Sequence, residues 1–163
     1  MDVVVSRSGI GKIGNFRFKC CLGRRGVAYE KSEGDHKTPI GTFPLRYIMY
    51  RKDRIKKPKT NLSVYTIKKN HVCCDNPNST NYNKIYIKKG TIDTESLWRK
   101  DFLYNIIIVI GYNDQPIQKG KGSAIFIHLS TKKYNPTKGC IGLHLEDMKK
   151  LLSYNLRNIK IIY

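Results

Sequence analysis

Short apolar runs with a period of two recur along almost the whole chain, and turn-forming residues interrupt nearly every one. Side chains alternate between the two faces of a strand, so this pattern restricts the chain to β-structure. Val3-Val4-Val5 opens the first predicted strand. Phe16-Arg17-Phe18-Lys19-Cys20 alternates as a second and runs into the turn Gly23-Arg24-Arg25-Gly26. Val27-Ala28-Tyr29, Phe43 to Tyr50, Leu62 to Ile67 and Ile85-Tyr86-Ile87 continue the series. Ile106 to Ile110 and Ile125 to Leu129 are apolar on both faces, which predicts central, buried strands. Asp75-Asn76-Pro77-Asn78-Ser79-Thr80-Asn81 reads as a turn. One helix is predicted, over Leu145 to Leu152, with an apolar stripe of Leu145, Met148, Leu151 and Leu152. Glu146 and Asp147 begin it and Lys149 and Lys150 follow, as the helix dipole favours. Asn158 to Tyr163 is a last strand. The expected fold is therefore mainly β: a sandwich or barrel-like domain with one short helix in its C-terminal half. With 163 residues and no internal repeat, linker or low-complexity segment, residues 1–163 are expected to form a single domain.

A net charge of +19 suggests an anionic partner, whether nucleic acid, a membrane surface or a polyanionic wall polymer. The competing reading is compositional, because lysine, isoleucine and asparagine are abundant throughout. Only Arg51-Lys52-Asp53-Arg54-Ile55-Lys56-Lys57-Pro58-Lys59 forms a dense basic cluster. No apolar stretch approaches a transmembrane span. Met1 to Cys20 has no basic leader, long apolar core or small-residue cleavage site, so no signal peptide is visible. The vicinal pairs Cys20-Cys21 and Cys73-Cys74 plus single Cys140 do not make a disulfide framework or a zinc spacing. His36, His71, His128 and His144 are scattered, and His128, Cys140 and His144 lack a fourth ligand. Neither a metal nor a cofactor is expected.

Cys140 lies in Thr137-Lys138-Gly139-Cys140-Ile141-Gly142-Leu143, downstream of an apolar run that ends in His128. A thiolate is the reactive form of cysteine, and a nearby imidazole can generate it. Gly139 leaves room for a substrate carbonyl beside the sulfur. It also lets the N–H groups of Gly139 and Cys140 point one way, as an oxyanion site requires. The plain alternative is a buried, unreactive core cysteine.

The surrounding segments resemble the YkuD-type L,D-transpeptidase catalytic domain, a family of bacterial cysteine enzymes that remodel peptidoglycan. Gly34-Asp35-His36-Lys37-Thr38-Pro39-Ile40-Gly41-Thr42-Phe43 resembles the family's G-D-x-x-T-P-x-G-x-F segment. Gly122 to His128 resembles the strand that delivers its histidine, and Thr137 to Ile141 its [S/T]-H-G-C-[IV] loop. More narrowly, the chain is similar to a compact single-domain group, common in alphaproteobacteria. That group carries Leu97-Trp98-Arg99, then Gly111-Tyr112-Asn113-Asp114 with His usual at the second position, then Pro136-Thr137-x-Gly139-Cys140. Some of its members cross-link at the first stem-peptide residue rather than between two third residues. The departures are Lys138 in place of histidine, Gly142 in place of arginine, and a short segment between His128 and Thr137.

The resemblance implies acyl transfer on peptidoglycan stem peptides. Cys140 is the implied nucleophile, and His128 the general base, oriented by a backbone carbonyl. Gly139 and Cys140 are the implied oxyanion donors. Thr137 is either a wall of the site or a turn residue. Trp98 is either a cleft wall or core, and Arg99 either a carboxylate contact or a surface ion pair. Tyr112 and Asn113 are either substrate contacts or an ordinary turn. A hydrolase acting on the same stem peptides is the nearest alternative. A basic nucleic-acid-binding β domain is a more distant one, without an aromatic-basic strand motif to support it. The substrate implies the periplasm or cell envelope, with the anionic wall polymer as a partner and a monomer as the state of assembly.

Overall fold

The computed structural model describes residues 1–90 and 94–163. Its strands are β1 (Asp2–Ser6), β2 (Ile10–Ile13), β3 (Phe16–Lys19), β4 (Val27–Ala28), β5 (Thr38–Pro39), β6 (Gly41–Tyr50), β7 (Val64–Thr66), β8 (His71–Cys73), β9 (Ile85–Ile87), β10 (Glu95–Ser96), β11 (Ile106–Ile110), β12 (Phe126–Leu129), β13 (Ile141–Leu143) and β14 (Asn158–Ile162). The helix α1 spans Leu145–Leu152, between β13 and β14. The main sheet runs β13-β12-β11-β6-β14-β1-β2-β3, with β7 paired to β6 outside this path. A smaller sheet, β10-β8-β9, stands apart from it, and β4 pairs with β5.

The two ends of the main sheet nearly meet. Just past β3, Cys21 pairs with Gly142 of β13, and Gly23 pairs with Thr137. Reciprocal hydrogen bonds of 2.8 and 2.9 Å join the Cys21 and Gly142 backbones. The edges of the sheet thus cover each other, and the structure is barrel-like as expected.

Alternation decides which side chains fill the barrel. Ile48, Ile108, Ile127 and Ile141 stand in register across β6, β11, β12 and β13, and all are fully buried. Val3, Val5, Ile159 and Ile161 continue this core, and Met148 and Leu151 of α1 close it. The neighbouring positions point the other way. Met49, Ile107 and Phe126 join Cys73, Leu97, Tyr104, Ala124 and Cys140 in a second apolar cluster outside the barrel. The double-sided apolarity of β11 and β12 has this cause: one face lines the barrel, and the other lies beneath the segment that carries β8 and β10.

The predicted helix matches α1 residue for residue, and the strands expected around Ile85 and Ile106 match β9 and β11. The sequence reading missed β2, β5, β8, β10 and β13. Each has at most four residues, too few for alternation to stand out, so pairing with a neighbouring strand rather than the local pattern makes them strands.

Candidate active site

His128 lies between Ile127 and Leu129, which face the barrel core, so its ring emerges on the opposite face beside Phe126. β13 runs parallel to β12 and pairs His128 with Gly142. Cys140, two residues before Gly142, therefore reaches the same outer face next to Phe126. The Cys140 thiol donates to Ala124 O at 3.1 Å, and Phe126 N–H donates to Sγ at 3.4 Å. Ala124 holds a left-handed conformation (φ 53°), and the Asn83 side chain accepts from its N–H at 3.0 Å. This local bend brings the Ala124 carbonyl to the sulfur.

His128 Nδ1 lies 2.7 Å from Leu129 O. A carbonyl only accepts, so Nδ1 carries the proton and Nε2 of the neutral ring is left as the acceptor. Tyr104 packs over the imidazole with ring centroids 5.3 Å apart and is hydrogen-bonded through its hydroxyl to Glu95. Burial pushes the Cys140 thiol up to about 12, with the Glu95 carboxylate adding to the rise, and it brings His128 down to about 4. At neutral pH the pair is therefore a thiol and a neutral imidazole, not a preformed ion pair. Burial raises Cys20 to about 12 as well. Acidity does not single out Cys140; what distinguishes it is its place on the outer face that also carries His128.

Thr137 is a staple of the loop that leads into Cys140. Its hydroxyl donates to Cys140 O at 2.7 Å and accepts from Gly139 N–H at 3.0 Å. The Gly139 N–H, expected to face a substrate oxygen, is thus engaged by Thr137. The Cys140 N–H has no partner among the described residues. Arg99 pairs with Asp101 at 2.7 Å and sits 5.0 Å from the Tyr104 ring centroid. Trp98 lies under the Arg51 guanidinium at 3.4 Å. Tyr112 and Asn113 line a cleft with Phe43, Lys31 and Lys121, and neither His128 nor Cys140 lines it. The Asn113 side chain bonds to Gln118 and Gly122, and the Tyr112 hydroxyl donates to Lys121 O. Both residues tie down their own loop. Tyr104, Glu95, Asn83 and Lys31 escaped the sequence reading. Only Lys31 carried a signal, as a lysine just upstream of the Gly34-Asp35 motif.

Comparison with protein families matches residues 9–160 to YkuD, the L,D-transpeptidase catalytic domain. The chain belongs to this family. Among solved structures, it is similar to the helical cell shape determining protein Pgp2 from Campylobacter jejuni, with 16% identity and a TM-score of 0.48. That match covers 98% of this chain and 46% of the Pgp2 chain, so this chain spans about half the length of Pgp2. Mycobacterium tuberculosis L,D-transpeptidase 1 is similar at 13% identity and a TM-score of 0.42, over 99% of this chain and 60% of the other. No protein in the search of curated sequences matches. Within the YkuD family, the departure at Gly142 has a local cause. A Cβ there would stand 2.6 Å from Cys21 Sγ and 3.2 Å from Ser130 Cβ, so any larger side chain must displace its neighbours where the barrel closes. Lys138 lies near enough to Glu95 to lower that carboxyl's affinity for a proton, against the larger effect of burial.

Among the described residues no group of three or more metal-ligating side chains occurs, and no helix is long and apolar enough to cross a membrane.

Proposed function

We propose that this YkuD-family chain transfers acyl groups between peptidoglycan stem peptides at the cell envelope, with Cys140 as nucleophile and His128 as base. The observation that carries the reading is the placement of these two side chains on one face of two parallel strands, in a chain matching the family over residues 9–160. Sγ attacks the carbonyl carbon of an L-residue in the donor stem, and its proton passes to His128 Nε2. Negative charge builds on the carbonyl oxygen and is met by the Cys140 N–H. The tetrahedral adduct collapses, the C–N bond breaks, and the imidazolium returns its proton to the leaving amine. A thioester remains. An amine of a second stem attacks it, His128 takes the amine proton, and the thiolate leaves and is reprotonated. In this reading residues 1–163 act as one catalytic domain and as a monomer.

The test is mass spectrometry of the protein after mixing with a tetrapeptide stem, followed by product analysis with excess acceptor amine. The expected result is a thioester on Cys140 and a cross-linked product, both absent from Cys140→Ala, while Cys20, Cys73 and Cys74 are dispensable one at a time. Cross-linking by folded Cys140→Ala would refute the assignment. Release of shortened stems with no cross-link, even at high amine, would favour the hydrolase reading. The linkage of the product distinguishes bonding at first from third stem residues.

A further inference from the structure

Thr137 occupies the Gly139 N–H, which leaves the expected oxyanion site with a single backbone donor. A buried cation stands beside the same loop. Lys31 is only 5% exposed. Its side chain is threaded between two glycines in left-handed conformations, Gly122 (φ 108°) and Gly139 (φ 140°). A Cβ on Gly122 would come within 2.8 Å of Lys31 Cε, and the Cβ position of Gly139 is 3.6 Å from Nζ. Gly139 directly precedes Cys140, so the ammonium ends next to the nucleophile loop.

The direction of its donors is also constrained. Asp35 Oδ1 accepts one N–H at 2.7 Å, and Ser32 O lies at 3.4 Å. An ammonium has three donors, and the third has no acceptor among the described residues. Asp35 is itself fixed, accepting from Ser32 N–H and Lys37 N–H at 2.9 Å each. Lys37 O in turn lies 2.9 Å from the Cβ position of Gly139, so the loop that anchors the lysine is packed directly on the nucleophile loop. Lys31 also lines the cleft shared by Tyr29, Phe43, Tyr112 and Lys121. This is a built position for a cation, not a surface lysine that happens to lie nearby.

We propose that Lys31 is a further catalytic residue, whose ammonium donates to the carbonyl oxygen of the group attacked by Cys140 and replaces the donor that Thr137 withdraws. The proposal rests on the acyl-transfer reading above. As Sγ bonds to the carbonyl carbon, the electron pair of the C=O bond moves to oxygen. The Cys140 N–H and the Lys31 ammonium hold that oxyanion until the C–N bond breaks and the carbonyl re-forms. A fixed cation in a buried site is well suited to this, because little solvent screens it and no reorganisation is needed. Near the thiol the same charge also lowers the Cys140 pKa, against the dominant effect of burial.

Two reagents separate these effects. A carbapenem acylates a cysteine through a tetrahedral oxyanion, whereas iodoacetamide alkylates it by displacement and forms none. In Lys31→Met the rate of alkylation should fall modestly, as the thiolate becomes scarcer. The ratio of acylation to alkylation rates should fall about 100-fold, the scale for loss of one oxyanion donor. A ratio within a few-fold of wild type would overturn the proposal and leave Lys31 acting on the thiol alone. If Lys31→Met unfolds because Asp35 is left without its partner, Lys31→Met/Asp35→Asn carries the same comparison. Loss of fold in both would make Lys31 a structural post, which also overturns the proposal. Failure of the parent reading shows differently: wild-type protein would then take no carbapenem at Cys140 at all.

Discussion

Cys140 and His128 are held neutral by burial, and the pH behaviour of the protein should follow from that. His128→Ala should lower acyl transfer by roughly two to four orders of magnitude, the usual scale for a lost general base. Stopped-flow acylation measures this, and a rate within a few-fold of wild type would remove His128 from the mechanism. The same residue links stability to pH. An unfolded histidine takes up a proton near its ordinary value of 6.5, and the folded one only at about 4. Between these values the unfolded chain binds more protons, so acidification favours unfolding. The stability at stake is full above the upper value and is lost as pH falls to the lower, by on the order of 3 kcal/mol. Denaturant midpoints across this window should show the loss, and His128→Gln should flatten it. An equal slope in the variant would show that carboxylates, not His128, set the acid limb.

At the scale of elements, the closure between the β3 end and β13 holds the Cys140 loop in place. Gly142 backs onto Cys21, and Thr137 N–H donates to Leu22 O at 2.9 Å. Adding a methyl group at Gly142 pushes into Cys21 Sγ. Gly142→Ala should therefore destabilise the protein by about 1–3 kcal/mol, as overpacking does. Cys21→Ala in the same chain should recover most of this, because it removes the sulfur that clashes. Chemical denaturation of the two single variants and the double variant tests the coupling. Strict additivity would mean that the strain resides at Ser130 instead.

Over the whole molecule, the dense basic stretch is not a uniform anion patch. Arg51 is buried, paired with Asp53 at 2.8 Å, and bonded to Arg99 O at 2.9 Å. Arg54 donates to Lys100 O, Asp101 O and Asn105 Oδ1. These arginines brace the loop that brings Tyr104 onto His128. Lys52, Lys56, Lys57 and Lys59 remain exposed. Neutralising these four lysines should weaken binding to isolated cell wall and reduce its salt dependence, since exposed charges act through a field screened beyond about 8 Å at physiological salt. Turnover of a small stem peptide should change little. Loss of small-peptide turnover in the folded variant would place the lysines in the site. Neutralising Arg51 or Arg54, by contrast, should unsettle the Tyr104 loop and slow turnover.

The chain's own pattern determined the class of fold, the central strands and the helix, and it marked Cys140 and His128 as candidates for the site. Alternation, the apolar stripe and a motif of consecutive residues are local properties, and locality is what a sequence displays. The compact group's motif also marked Thr137, Trp98, Arg99, Tyr112 and Asn113, and for these the roles could not be read. Whether Asn113 faces a ligand or its own loop depends on Gln118 and Gly122, and whether Trp98 is covered depends on Arg51, far away in sequence. Tyr104, held by Glu95, meets His128 only because the segment that follows β10 converges with the outer face of β12. Burial is likewise a product of that convergence, so the neutral state of the thiol and imidazole was decided by the tertiary structure. Hydrogen-bond donors are finite in number, and only the folded chain shows that Thr137 takes the Gly139 N–H while, among the described residues, nothing accepts the third donor of a lysine more than a hundred residues upstream of Cys140.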